Sequence, residues 1–139
     1  MYATKEDMLK RYTQADLIQL TDRVEPYTNT IIDDVLNQAL EDAAATIDTY
    51  VANRYDLPVN GIPKALTIQA CAIAYYNLHQ GRHPDEIRTA YEDAISFLDK
   101  IASGWILLDI GGTEPQSSAA IAEYDAPDQM FSRDKLKGF

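Results

Sequence analysis

The side chains that could bind a metal ion lie close together in the sequence: Cys71, His79, His83, Asp85 and Glu86. His79 and His83 are four residues apart, and on one helix both imidazoles would face the same ion. Gly81 and Pro84 argue against a continuous helix through this stretch, and the chain has neither a second cysteine nor a third histidine. We therefore predict no bound metal or other cofactor. His79 is expected at a helix end, where the macrodipole favours a cation.

Other groups of reactive residues lack the pattern of a catalytic site. The carboxylates of Asp33–Asp34 and Glu41–Asp42 are adjacent in sequence, so they diverge around a helix instead of converging on a substrate. No Ser, Cys or Lys lies in a recognisable nucleophile motif. The sequence Gly111-Gly112-Thr113 lacks the Gly-Lys-Ser/Thr that a phosphate-binding loop requires. These observations predict a protein that is not an enzyme.

The elements that would position these residues are helices. Apolar periodicity predicts two short helices at 5–11 and 14–20, and longer ones at 31–54, at 63–79 and between Pro84 and Gly104. The fourth stretch is apolar nearly all round, as expected for a helix packed on several sides. We expect an all-α fold, a compact bundle of about five helices with a long central helix.

Three predicted helix starts carry a threonine followed three residues later by an aspartate: Thr4 and Asp7, Thr13 and Asp16, Thr30 and Asp33. These side chains can bind the unpaired N–H groups of a first helical turn. Pro58 disfavours helical geometry at Leu57, which predicts that the third helix ends near Tyr55. Residues 105–108 are too few to assign, and fit either a strand or an extended segment laid on the core.

The length of 139 residues fits one domain. After residue 110 the composition changes to Gly, Pro, Ser and scattered charges, so we predict a helical domain at 1–110 and a flexible arm at 111–139. The large apolar residues near the end of this arm are too sparse for a core of their own. They indicate either a docking segment or a frayed terminus.

Cys71 lies among apolar neighbours, which predicts a buried and unreactive thiol. The chain does not begin with a basic region followed by an apolar run, and no apolar stretch reaches the roughly 18 residues of a membrane span. We therefore expect no membrane contact and a protein that stays in the compartment where it is made.

Charge is unevenly distributed along the chain. The formal charge is −10 in total, made up of +2 for residues 130–139 and −12 for the remainder. An acidic surface repels phosphate backbones, so ordinary or sequence-specific nucleic-acid binding is not expected. The same charge would suit a conduit through which DNA slides without sticking.

Arg54 is the residue that stands out among these solvated charges. At the end of the long helix its five donors could cap exposed carbonyls, or bind Asp48, Asp56 or a carboxylate of a neighbouring subunit. The nine tyrosines suit both a core and a subunit interface.

Several short motifs resemble, in their order and spacing, a family of Mu-like prophage proteins. They are Tyr2-Ala3-Thr4 with Asp7, Leu20-Thr21-Asp22, Arg54-Tyr55-Asp56-Leu57-Pro58, and Phe131-Ser132-Arg133-Asp134-Lys135-Leu136. That family is assigned to the head–tail connector, or head completion, part of tailed phage particles. Residues 109–129 carry no motif that takes part in this resemblance.

The resemblance implies a structural virion protein that assembles as a homo-oligomeric ring between portal and tail, with DNA only passing through the channel. It implies the portal and tail-side adaptor proteins as partners, and location at the head–tail junction after a period in the host cytoplasm. The interaction residues expected on this basis, and from charge, are Arg54, Tyr55, Phe131, Arg133, Lys135 and Phe139. The alternative is a bacterial cytosolic helical adaptor or regulator that binds one protein partner.

Overall fold

Five α-helices and no β-strand make up residues 1–109, the part of the chain that the computed structural model describes. They are α1 (Lys5–Arg11), α2 (Gln14–Thr21), α3 (Asp33–Val51), α4 (Lys64–Leu78) and α5 (Asp85–Ala102). The predicted all-α fold is therefore confirmed, whereas the predicted arm at 111–139 lies outside the described residues. No helix in the described region is long and apolar enough to cross a membrane.

Helix α4 is the centre of the bundle. It packs against α1, α3 and α5, while α2 packs on α3, and its buried residues face in several directions: Leu66, Ala70, Cys71, Ile73, Ala74, Tyr75 and Leu78. This arrangement explains why the sequence of α4 is apolar nearly all round. Cys71 is fully buried, as predicted, and burial raises the pKa of its thiol.

Helix α3 is the longest element and has one apolar side. Its buried residues recur at intervals of three and four: Leu36, Ala39, Leu40, Ala43, Ile47 and Val51. The predicted end near residue 54 is wrong, because α3 ends at Val51. The N–H groups of Arg54 and Tyr55 both bond the Val51 carbonyl, at 3.0 and 2.9 Å, and this tight turn directs the Tyr55 side chain into the core.

Two of the three predicted helix caps are present. Thr4 and Asp7 form a complete capping box at the start of α1, and the Thr13 hydroxyl accepts a hydrogen bond from the Asp16 N–H at the start of α2. These bonds pair N–H groups that a first helical turn leaves free.

The third predicted cap, at Thr30, is wrong. The residue before α3 is Ile32, and it makes no side-chain cap, while the Thr30 hydroxyl bonds that of Thr28. The Ile32 N–H instead donates to the buried hydroxyl of Thr21, which itself donates to the Leu17 carbonyl. The start of α3 is thus held by the end of α2.

Helix α5 ends in a Schellman motif. The Gly104 N–H bonds the Ile101 carbonyl at 3.1 Å, and the Trp105 N–H bonds the Lys100 carbonyl at 2.8 Å. Gly104 has a φ of +89°, a conformation that side chains with a Cβ rarely adopt. This turn fixes the direction in which residues 105–108 leave the bundle.

Candidate interaction site

The residues that were considered as metal ligands do not converge on one ion. His79 follows the last residue of α4, as expected, and its Nδ1 donates to the Tyr75 carbonyl at 2.7 Å. His83 Nε2 donates to the Tyr76 carbonyl at 3.1 Å, and the two imidazole centroids are 6.5 Å apart. Among residues 1–109, no three His, Cys, Asp or Glu side chains are grouped as metal ligands. Both imidazoles thus donate hydrogen bonds to backbone carbonyls in the last turn of α4.

Tyrosines and His83 form two aromatic stacks that join the helices. The Tyr12 ring lies on Tyr75, with centroids 3.7 Å apart, and burial raises the pKa of Tyr12 to about 12. On the other side of α4, Tyr76 lies between His83 and Tyr91, at 3.7 and 3.9 Å. These stacks tie α4 to the α1–α2 junction and to α5, so these tyrosines serve the packing of the bundle.

The first residues of the chain are part of the core. Tyr2 is buried, its hydroxyl donates a hydrogen bond to the Asp48 carboxylate, and the Thr67 hydroxyl donates to the Tyr2 carbonyl at 2.8 Å. Burial, with a smaller effect of Asp48, raises the pKa of Tyr2 well above its ordinary value. Asp48, one carboxylate considered for Arg54, is therefore bonded to Tyr2.

Arg54 packs against the end of α5. A Cβ built on Gly104 would lie 3.0 Å from Nη1 and 3.1 Å from Cζ of Arg54, so the guanidinium lies directly on the glycine backbone. The Arg54 Nε is buried and has no hydrogen-bond partner. No ion pair joins Arg54 to another residue of the 1–109 region. The Arg54 side chain is thus held against Gly104, and its positive charge forms no ion pair with a carboxylate of residues 1–109.

Tyr55, the next residue, points inward and holds the segment after α5. It is 1% exposed, and its hydroxyl accepts a hydrogen bond from the Leu108 N–H at 2.7 Å. The segment 105–108 is not a strand, and its start still belongs to the turn after α5, where the Ile106 N–H bonds the Lys100 carbonyl at 3.1 Å. Leu108 is buried on the core, but Trp105 is 85% exposed and Leu107 is 64% exposed.

This end of the bundle therefore combines a predicted residue with one that the sequence did not indicate. Arg54 and Trp105 flank Gly104, and Lys100 and Trp105 line a cleft of about 470 Å³. The Trp105 position was missed because large apolar residues after a helix are usually buried. The sequence carried no signal for its exposure, since all four residues of 105–108 are large and apolar. The other predicted interaction residues, Phe131, Arg133, Lys135 and Phe139, lie outside the described residues.

A groove of about 420 Å³ lies at the opposite end of the bundle, between the first turns of α3 and the end of α4. Its floor contains Val35 and Leu78, and its rim contains Asp34, Gln38 and Asp42. Arg23 also lines the groove, where it donates to the carbonyls of Leu20 and Leu78.

Comparisons with known proteins place the chain in a phage family. The family model described as Bacteriophage Mu, Gp36 matches residues 2–124, and so extends over part of the region where the motifs gave no resemblance. The Mu-like prophage FluMu protein gp36 of Haemophilus influenzae (strain ATCC 51907 / DSM 11121 / KW20 / Rd) is 37% identical over 100% of this chain and 98% of that protein. Gene product J of Escherichia phage Mu is 33% identical over 99% of this chain and 98% of its own length. The chain belongs to the bacteriophage Mu Gp36 family.

Proposed function

We propose that this protein is a structural subunit of the head–tail connector of a Mu-like phage particle, where copies form a ring between portal and tail. The observation that carries the proposal is the match to Mu-type phage proteins over nearly the whole chain. The connector role comes from the family resemblance of the motifs. The alternative of a bacterial adaptor with one protein partner gains no support from these relatives.

Residues of the motifs behind that resemblance make contacts that hold the bundle together. Tyr2 and Thr4 anchor the start of the chain, and Arg54 and Tyr55 bind the end of α5 to the end of α3. They are therefore determinants of a rigid body that is a suitable unit for a ring. Catalysis is no part of the proposed role.

The charge of the body supports a position next to DNA that must move. Residues 1–109 carry 17 acidic and 9 basic side chains, and only two ion pairs occur within that region, Lys5–Asp33 and Arg88–Asp85. Most of the carboxylates thus keep a field that repels phosphates. Copies of such a protein in a ring would let DNA pass without retaining it.

The cationic ending is proposed to hold neighbouring proteins. Residues 130–139 carry +2 and the anchors Phe131 and Phe139, and an opposite charge on an acidic neighbour would favour docking. Deleting residues 130–139 should leave helicity and melting nearly unchanged while lowering self-association or the yield of joined particles. Normal assembly of the truncated protein at matched concentration would show that this ending is not a docking segment.

The test of the connector role is a deletion of the gene in an inducible lysogen, with complementation from a plasmid. Electron microscopy should show heads and tails that remain separate, and the complemented strain should restore joined particles. Particles of normal form and infectivity after the deletion would contradict the proposal. A regulatory adaptor would instead change the amounts of all virion proteins together, which protein quantification in the same lysates would detect.

A further inference from the structure

An exposed tryptophan marks one end of the bundle. Trp105 is 85% exposed, and tryptophan is enriched among the residues that contribute most to binding at protein interfaces. The Schellman motif fixes its backbone on one side, and the bond from Leu108 to Tyr55 fixes the other. The backbone at Trp105 is therefore held in place with the side chain outward, so binding costs little backbone entropy.

Two cations lie beside this tryptophan. Arg54 packs on Gly104, the residue before Trp105, and Lys100 lines the same cleft as Trp105. Asp99 also lines this cleft, so two cations stand against one carboxylate. Neither cation forms an ion pair within the 1–109 region, and the buried Nε of Arg54 lacks an acceptor. We call the surface formed by Arg54, Lys100, Trp105 and Leu107 the Trp105 corner. It combines apolar area with a net positive charge, since Arg54 and Lys100 outnumber Asp99.

The groove at the other end has the complementary chemistry. Val35 and Leu78 offer an apolar floor for an aromatic ring, and the exposed carboxylates of Asp34 and Asp42 stand at the rim. Arg23 also lines the groove, so its lining carries two carboxylates and one cation. Asp42 accepts a hydrogen bond from Gln38, and neither aspartate is in an ion pair of the described region. The amide and carboxylate oxygens could also accept the indole N–H. We call this surface the α3–α4 groove.

The two surfaces are separated along the bundle axis. Asp34 lies in the first turn of α3, whereas Arg54 follows the last turn, so the rise of about 1.5 Å per residue places them roughly 25 Å apart. One copy therefore cannot fill its own groove with its own Trp105. Unlike surfaces at opposite ends generate a head-to-tail contact, which repeats until it closes a ring or extends as a filament.

We propose that the Trp105 corner of one copy docks into the α3–α4 groove of a second copy of this chain. Trp105 lies on the apolar floor, and Arg54 and Lys100 face the carboxylates of Asp34 and Asp42. This assignment rests on the proposed ring assembly and names the surfaces that make it. A single tryptophan buries about 150–250 Å², less than the roughly 800 Å² per partner of a stable pair. Each contact is therefore weak in isolation, and ring closure and neighbouring proteins strengthen it.

Trp105 itself provides the first measurement, because it is the only tryptophan of the chain. In the full-length protein its fluorescence should shift to shorter wavelength as concentration rises, in parallel with self-association measured by sedimentation. Quenching by acrylamide should weaken over the same range. Emission that is already blue in the monomer, or that does not change when the protein associates, would overturn the proposal. A protein that stays monomeric up to about 1 mM would overturn it as well.

Two variants test the two surfaces separately. Trp105→Ala should weaken self-association about tenfold or more, and its control is Leu9→Ala, which removes an exposed apolar side chain from α1. Asp42→Lys should also weaken association, whereas Glu41→Lys makes the same charge change on an exposed neighbour outside the groove. Glu41→Lys should preserve or strengthen association, since it only lowers repulsion between acidic bodies. Equal effects of the two lysine variants would contradict the assignment to the groove.

Mixing the variants gives the sharpest outcome. Asp42→Lys keeps an intact Trp105 corner, and Trp105→Ala keeps an intact groove and has no tryptophan. At a concentration where neither variant associates alone, the two together should form dimers and nothing larger, with a blue shift of the one tryptophan present. A mixture that stays monomeric, or one that grows beyond dimers, would overturn the head-to-tail pairing.

Two experiments distinguish an error in the assigned surfaces from an error in the connector role. If the protein is found at the junction of head and tail while Trp105→Ala associates and assembles normally, the connector role stands and the assigned surfaces are wrong. If the protein is absent from particles, the connector role fails whatever the variants do in solution.

Discussion

At the scale of single residues, Gly104 and Arg54 form the contact that sets the geometry of the Trp105 corner. Gly104 needs a φ of +89°, and a Cβ there would meet the Arg54 guanidinium at 3.0 Å. Gly81 is a matched reference, since its φ is +86° and nothing lies within 4 Å of a Cβ at that position.

We therefore predict that Gly104→Ala lowers the free energy of unfolding by about 1–3 kcal/mol, and by more than Gly81→Ala does. Gly104→Ala should cost about 0.5 kcal/mol or more beyond the loss caused by Gly81→Ala. This difference should disappear when Arg54 is also replaced by alanine. Urea denaturation measures both losses in the three single variants Gly104→Ala, Gly81→Ala and Arg54→Ala and in the double variant of Gly104→Ala with Arg54→Ala. Equal losses for the two glycines would mean that Arg54 is not held against Gly104.

Tyr12 leads to a prediction about alkaline pH. Burial raises its pKa to about 12, while in the unfolded chain a tyrosine ionises near pH 10. Between these values the unfolded state loses a proton that the folded state keeps, so the free energy of unfolding falls as pH rises from about 10 to 12. Tyr12→Phe keeps a ring on Tyr75 and should make this fall less steep without altering the trend below pH 9. The rest of the fall remains, because burial also raises the pKa values of Tyr2, Tyr75 and Tyr91. An unchanged slope in urea denaturation would contradict the assignment.

The sequence indicated some of these residues and missed others for a physical reason. Arg54 could be identified because a cation after a long helix is a recognisable local feature. Trp105 could not, because its exposure depends on the Tyr55–Leu108 hydrogen bond between residues 53 positions apart. The spacing of residues in the sequence cannot predict a contact between positions so far apart.

At the scale of elements, the starts of α1 and α2 are set by neighbouring residues, whereas the start of α3 is set by a residue of another helix. Thr4 and Thr30 have the same sequence pattern, yet Thr4 forms a capping box and Thr30 does not. The reason is that the Ile32 N–H bonds the hydroxyl of Thr21, eleven residues away, and this contact sets where α3 begins. Local spacing predicted the caps of α1 and α2, where the partners are three residues apart.

We predict that Thr4→Ala lowers the free energy of unfolding by about 1 kcal/mol, and that Thr30→Ala changes it by less than about 0.5 kcal/mol. The two substitutions remove the same groups, so the comparison isolates the capping bonds. Thermal or urea denaturation under identical conditions provides the measurement. Losses of equal size would show that Thr30 supports α3 in solution.

At the scale of the whole molecule, the bundle was predictable because apolar periodicity acts over many residues. The clear stripes of α3 and α5 and the apolar α4 leave few ways to bury all three. The end of α3 was less predictable, since Tyr55 enters the core and stops the helix at Val51 before Pro58 can do so. How copies contact one another could not be read from these patterns, because it depends on surfaces built from several helices.

The charge of the molecule gives a prediction for nucleic acid. With a formal charge of −10, the protein should not bind duplex DNA at physiological salt, because approach to phosphates is repulsive. Fluorescence anisotropy with a labelled duplex should show no binding up to about 100 μM protein. Micromolar binding that weakens steeply with added salt would reveal a basic surface and contradict a sliding role.

The proposed position at the junction of head and tail can be tested by locating the protein in the particle. Full-length protein carrying a small epitope, in a strain where it replaces the original and supports normal infectivity, can be located by immunogold microscopy of purified particles. We expect gold at the neck of joined particles, and on heads rather than on free tails if the junction is assembled from the head side. Particles without label, or with label along the tail or over the capsid surface, would contradict the connector role.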